Sequence, residues 1–295
     1  MSQLYKRTLS LTGINTDGMS TDELKKLVAQ MLENKIHGLC FSPYVEGQEP
    51  GSKVTEAQIR ERLSIIAPYC RNIRTFSCTD GHEAIPAIAK EMGLGTMVGV
   101  WLEDDTAKND EELANALEIA KQGHIDILAV GNEVLLRGDL TEDQLLDYIN
   151  RAKDGAPDID VGYVDAYFEF VDHPRITEAC DVLLANCYPF WEGCPSEWAL
   201  LYMKEMYRKV QSVANGKRVV VSETGWPDKG TPEQGAVPSY HNAVKYLVDS
   251  VHWSEEDGIE LFYFSSFDEA WKVAAEGDVG AYWGLWDKDG QPKYW

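Results

Sequence analysis

The sequence predicts an α/β protein folded as a single (β/α)8 TIM barrel, one domain over residues 1–295, and three observations carry the prediction. Short apolar runs rich in β-branched residues recur along the chain. Each is followed by a segment of helical period, and parallel strands need such crossovers between them. Eight such units fit a length close to the roughly 250 residues that a barrel of this kind uses. A doubly wound open sheet shares the local pattern and is the alternative.

The elements read in order as follows. Ser20 with Glu23 forms a capping box that opens a helix ahead of the first strand, at 38–44. Thr55 with Gln58 starts the next helix, the second strand lies at 73–78, and Gly93 stops the helix behind it. The third strand spans 96–102, and a looser box, Asn109 with Glu112, starts a helix that Gly123 ends. The fourth spans 125–130, and Thr141 with Gln144 opens the helix after it. The remaining strands lie at 161–167, 182–188, 219–222 and 261–264, with short or irregular helices after the fifth and the eighth. Residues 226–238, rich in Pro and Gly, read as a long loop after the seventh strand.

Composition narrows the partners. A formal charge of −22 repels nucleic-acid phosphates and anionic lipid headgroups, so neither is expected, and a neutral substrate fits better. The six cysteines (Cys40, Cys70, Cys78, Cys180, Cys187, Cys194) show no C-x-x-C spacing and read as reduced and structural. No apolar stretch reaches the ~18 residues of a membrane-spanning helix, and residues 1–7 lack the core of a secretory signal. The expected location is cytoplasmic if Met1 is native, and periplasmic or secreted if a signal has been removed. The histidines have no metal-ligand spacing; only His82 follows a strand closely, and it reads as structural. No metal or other cofactor is expected, no Gly-rich phosphate loop is present, and the oligomeric state is left open.

In a barrel the chemistry sits at the carboxyl ends of the strands. Two glutamates stand there: Val130-Gly131-Asn132-Glu133 ends the fourth strand and Val221-Ser222-Glu223-Thr224-Gly225-Trp226-Pro227 ends the seventh. The mouths of strands four and seven face each other across a closed barrel, so the carboxyl groups can meet. Two carboxyl groups about 5–5.5 Å apart are what cleavage of a glycosidic bond with net retention requires. One glutamate alone would read as a surface charge or a helix cap; a matched pair does not.

These motifs resemble glycoside hydrolase family 17 of clan A, the β-1,3-glucanases and β-1,3-glucanosyltransferases. The resemblance runs from Phe41-Ser42-Pro43-Tyr44 to Phe267-Asp268-Glu269-Ala270-Trp271-Lys272. It includes Ile73-Arg74-Thr75-Phe76-Ser77 and Asn186-Cys187-Tyr188-Pro189-Phe190. The resemblance implies a glycosidase acting on β-1,3-glucan of the laminarin type through a covalent glycosyl-enzyme, with Glu133 as acid/base and Glu223 as nucleophile. It also implies that Asn186 belongs to the substrate site and that Glu269 and Lys272 bind sugar hydroxyls and set charge near the nucleophile. The segment Phe264-Ser265-Ser266-Phe267-Asp268 departs from the family by its serines and aspartate, which places the donor-side contacts in question.

The residue types fit these roles. The Asn132 amide is placed to bond a sugar hydroxyl beside the reacting carbon, and Tyr188 to donate its phenolic hydrogen to Glu223. Rigid aromatic faces bury the C–H faces of pyranose rings at little entropic cost, which singles out Tyr44 and Trp226 as platforms and Trp191 and Trp271 as secondary ones. Transfer to a sugar acceptor shares the covalent intermediate with hydrolysis and is the nearest alternative. A glucan-binding barrel without chemistry is an alternative of another class.

Overall fold

The structure, a computed structural model, describes residues 16–295. The elements in chain order are α1 (Thr21–Glu33), β1 (Ile36–Cys40), α2 (Glu56–Ile66), β2 (Cys70–Arg74), α3 (Ile85–Glu91), β3 (Gly95–Val100), α4 (Thr106–Lys121), β4 (Ile127–Asn132), α5 (Val134–Arg137), α6 (Glu142–Gly155), β5 (Asp160–Ala166), α7 (Glu169–Asp172), α8 (Pro174–Ala179), β6 (Val182–Asn186), α9 (Ala199–Val213), β7 (Arg218–Thr224), α10 (Tyr240–Glu256), β8 (Leu261–Tyr263) and α11 (Val273–Glu276). The strands pair in parallel in sequence order, and β8 returns to β1 through Gly38 opposite Phe262 and Leu39 opposite Tyr263. The sheet is closed, which excludes the doubly wound open sheet that shares the same alternation of strands and helices.

Closure encloses the inner face of the sheet and the surrounding helices cover the outer one, which is why most of the strands read as apolar runs. In β6, for example, all five residues from Val182 to Asn186 are buried. The capping boxes Ser20/Glu23 and Thr141/Gln144 are formed in full, and Thr55 caps α2 through the Gln58 N–H. The box expected at Asn109 and Glu112 is not. Asp105 caps α4, one turn earlier, and Asn109 and Glu112 are buried inside the helix. Glu112 instead accepts from Ser77 Oγ, Thr79 Oγ1 and the Cys78 N–H at 2.5, 2.6 and 2.7 Å, tying α4 to the loop after β2. Among the described residues no helix is long and apolar enough to cross a membrane.

The serines and aspartate of the departing segment after β8 have structural partners. Ser266 Oγ donates to Cys40 O at 2.7 Å, and Asp268 accepts from Gly284 N and from Lys293 Nζ, each at 2.9 Å. These contacts fasten the carboxyl-terminal residues to the mouth of the barrel.

Candidate active site

Both glutamates sit where the sheet loses its regular register. The β4–β5 register shifts between Ala129 and Asn132, the β6–β7 register between Ala185 and Asn186, and the β7–β8 register between Val221 and Thr224. Such irregularities re-aim side chains at barrel rims. At β4 the redirection is sharp. Gly131 has φ 82°, and a Cβ there would lie 2.9 Å from Val134 Cγ2, so glycine is required on both counts. Glu133 itself has φ 54° and ψ 31°, a left-handed conformation costing a non-glycine residue roughly 1–2 kcal/mol. Its N–H still pairs with Val164 O at 2.8 Å, so the strand above holds the turn in place.

A single hydrogen-bonded web then links the strand ends. Arg74, at the end of β2, donates through Nη1 to Glu223 Oε1 at 2.5 Å and through Nη2 to Asn132 Oδ1 at 2.7 Å. Tyr188 Oη donates to Glu223 Oε2 at 2.7 Å, so both oxygens of that carboxyl group have partners. Ser222 Oγ donates to Asn186 Oδ1 at 2.8 Å, which turns the Asn186 amide nitrogen toward Glu133 Oε1, also at 2.8 Å. With its Oδ1 engaged by Arg74, Asn132 keeps its amide hydrogens for another partner. Arg74 is 1% exposed and Glu223 5%, a charge pair taken almost wholly out of water.

The two carboxyl groups are therefore unlike. Burial, and next the charge of Glu223, push the Glu133 carboxyl up to about 7 against the opposing hydrogen bond from Asn186. Glu223 instead receives a guanidinium and a phenol, partners that orient a carboxylate. One group can give a proton near neutrality while the other attacks.

Glu269 and Lys272 form a buried ion pair at 2.6 Å, and the Lys272 ammonium lies 4.2 Å from the centre of the Phe264 ring. Trp271 donates from Nε1 to Glu269 Oε1 at 3.0 Å and stands edge-on to Tyr44 at 6.0 Å. Tyr44, Glu269 and Trp271 together line a recess of about 350 Å³ that Asp268 and Lys288 extend. His82, buried and bonded through Nδ1 to Thr79 O at 2.9 Å, packs edge-on against Tyr44, the structural role expected of it.

Trp226 is placed elsewhere than expected. It is 1% exposed, with Phe190 edge-on against it at 5.3 Å and Tyr246 tilted against it at 5.5 Å, and its Nε1 donates to Val237 O at 3.1 Å. It is a core residue beneath the loop after β7 and has no free face for a sugar. Trp191 is partly exposed and rests on the buried Trp283 at 5.5 Å.

Arg74 is the group to which the sequence reading gave no role. Its signal was present: a charged residue closing an apolar strand, the same mark that picked out the glutamates. Arg137 was missed for lack of any such mark. It lies over the Trp101 ring at 4.5 Å and binds the carbonyl of Asn132, bracing the turn that carries Glu133.

A closed parallel barrel with two unequal glutamates at the ends of β4 and β7 has the frame of a glycosidase. Residues 38–284 match the BtgE/BtgC glycoside hydrolase domain, and the chain belongs to this family, within glycoside hydrolase family 17. Among solved structures, the family 17 β-1,3-glucanosyltransferase of Rhizomucor miehei is 30% identical, with a TM-score of 0.79 over 88% of this chain and 96% of its own. Among curated relatives, the glucan 1,3-β-glucosidase of Arthroderma benhamiae is 28% identical over 81% of this chain and 84% of its own length. That of Saccharomyces cerevisiae is 27% identical over 87% and 90%.

Proposed function

We propose that the chain cleaves β-1,3-glucan with net retention, Glu133 serving as general acid/base and Glu223 as nucleophile. The observation that carries the reading is the unequal pair. A carboxyl group pushed up to about 7 is protonated in a substantial fraction of molecules near neutrality, whereas Glu223 is aimed by Arg74 and Tyr188. In the first step a Glu223 oxygen bonds to the anomeric carbon as the glycosidic bond breaks, and Glu133 gives its proton to the departing oxygen. Once Glu223 is esterified, its charge no longer opposes ionisation of Glu133, which then takes a proton from the incoming water or sugar hydroxyl as that oxygen bonds to the anomeric carbon and the ester bond to Glu223 breaks, releasing its carboxylate. Asn132 offers its amide hydrogens to a sugar hydroxyl, and Tyr44 and Trp271 flank a sugar ring in the recess beside Glu269 and Lys272.

The substrate class is supported by the relatives, one a β-1,3-glucanosyltransferase whose active-site mutant was solved with laminaritriose, the others glucan 1,3-β-glucosidases. The test is to incubate the protein with an end-labelled, reduced laminari-oligosaccharide and follow product mass and anomeric configuration. Shorter β-configured products identify a retaining hydrolase and longer ones a transferase; an unchanged substrate overturns both readings in favour of a binding barrel. Glu223→Ala is expected to abolish turnover, in a chain that folds but is less stable because Arg74 loses its buried partner, and Glu133→Ala to lower turnover roughly 10²–10⁴-fold in a chain that still unfolds cooperatively. Full turnover in either folded variant overturns the assignment.

A further inference from the structure

The short helix α5 begins just after Glu133, which stands at its N-cap position, yet the Glu133 side chain does not cap it. The first N–H groups of a helix have no partner within it and must find one outside. Here β5 provides them: Tyr163 Oη accepts from Leu135 N at 2.9 Å, and Asp165 Oδ2 accepts from Leu136 N at 3.4 Å. The two side chains are themselves joined, Tyr163 giving its hydroxyl hydrogen to Asp165 Oδ2, while Ala166 N donates to Oδ1 at 2.7 Å. Asp165 is 0% exposed. A fully buried carboxylate is costly, and here three donors offset that cost, two of them leading to the turn that carries Glu133.

We propose that Tyr163 and Asp165 are positioning residues for Glu133. They cap α5 from the neighbouring strand, freeing the Glu133 carboxyl from capping its own helix, and they set a second negative charge behind it. The inference rests on the reading of Glu133 as acid/base.

The charges around Glu133 come from every neighbouring element. Glu223 on β7 and Asp165 on β5 raise its hold on the proton, whereas the Asn186 hydrogen bond from β6 and Arg74 on β2 lower it. Tyr188, following β6, faces it as well. Asp165 is pushed up to about 6, by burial first, with Glu169 adding to the rise and the bonds from Tyr163, Ala166 and Leu136 opposing it. Its charge thus develops across the pH range in which Glu133 would begin to lose its proton.

The test compares two substrates of one sugar with the full chain: laminaritriose, whose leaving group needs a proton, and dinitrophenyl β-laminaribioside, whose leaving group does not. Asp165→Asn is expected to lose about tenfold to a hundredfold in kcat/KM on laminaritriose and little on the activated glycoside. The basic limb of its kcat/KM profile should move to lower pH, because the charge raising Glu133 has gone. Tyr163→Phe should show the same dependence on leaving group. Equal losses on the two substrates, or an unmoved basic limb in Asp165→Asn, would mean a merely structural role and overturn the inference. If thermal unfolding shows that Asp165→Asn does not fold, the two-substrate comparison with Tyr163→Phe decides. A parent chain inactive on both substrates instead overturns the functional reading, so the two failures are distinct.

Discussion

The two ends of the barrel use the same charged residue types to opposite effect. At the amino-terminal ends of the strands, Arg218 pairs with Glu260 and Asp160, Lys90 with Asp126 and Lys153 with Asp181, all partly exposed to water. At the carboxyl-terminal ends, Arg74, Glu223, Glu269 and Lys272 are buried and share partners across four strands or their loops. In water an ion pair is screened and pays side-chain entropy, so it contributes little. Removed from water, a charge depends on its partners for its very existence, and neighbouring protonation states become coupled. The lower end holds strands in place; the upper end sets which carboxyl group keeps a proton.

Four measurements can break or sharpen that contrast. The largest effect is expected of Arg74→Met, which strands Glu223 without its cation: a loss of about 3–5 kcal/mol in unfolding free energy by denaturant titration, together with turnover. Tyr188→Phe removes a hydrogen bond to a charged group and should lower kcat about tenfold to a hundredfold, from the roughly 1.5–3 kcal/mol such bonds carry, leaving the preference for β-1,3- over β-1,4-linked oligosaccharides unchanged. Glu133→Gln probes the raised carboxyl through stability. A carboxyl raised from 4.5 to about 7 favours the folded state below 4.5 and loses that contribution as pH rises to about 7. The glutamine variant should therefore gain up to about 3 kcal/mol over the parent at pH 8 and nothing at pH 4, read by thermal unfolding across pH. Arg218→Ala, at the lower end, should cost less than about 1 kcal/mol and leave activity intact. A loss there as large as that of Arg74→Met would abolish the distinction between the two ends.

Much of the site was legible because its logic is linear. Glu133 and Glu223 each close an apolar strand; one alone would pass for a surface charge or a helix cap, and it is the matched pair that marks a site. Asn186 and Tyr188 close the sixth strand in the same way and were legible through the segment Asn186-Cys187-Tyr188-Pro189-Phe190, while Asn132 stands beside Glu133 in sequence. Trp226 failed for the same reason: proximity to Glu223 does not reveal which way a ring turns after a register shift, and this one turns into the core against Phe190 and Tyr246. Asn109 and Glu112 match a capping pattern by spacing, but the chain enters α4 a turn earlier at Asp105, which leaves the pair free to bind other loops.

The sequence by itself determined the eight alternating units, most of the helix caps and the identity of the two glutamates, because periodicity and strand-end chemistry are local properties. Only the tertiary structure decided that the sheet closes and that Arg74 of β2 reaches Glu223 of β7. It alone decided that one carboxyl group is pushed up to about 7 beside another held by two donors. Those outcomes depend on burial and on distances between residues far apart in the chain, and a carboxyl group's proton affinity is fixed by what surrounds it in space.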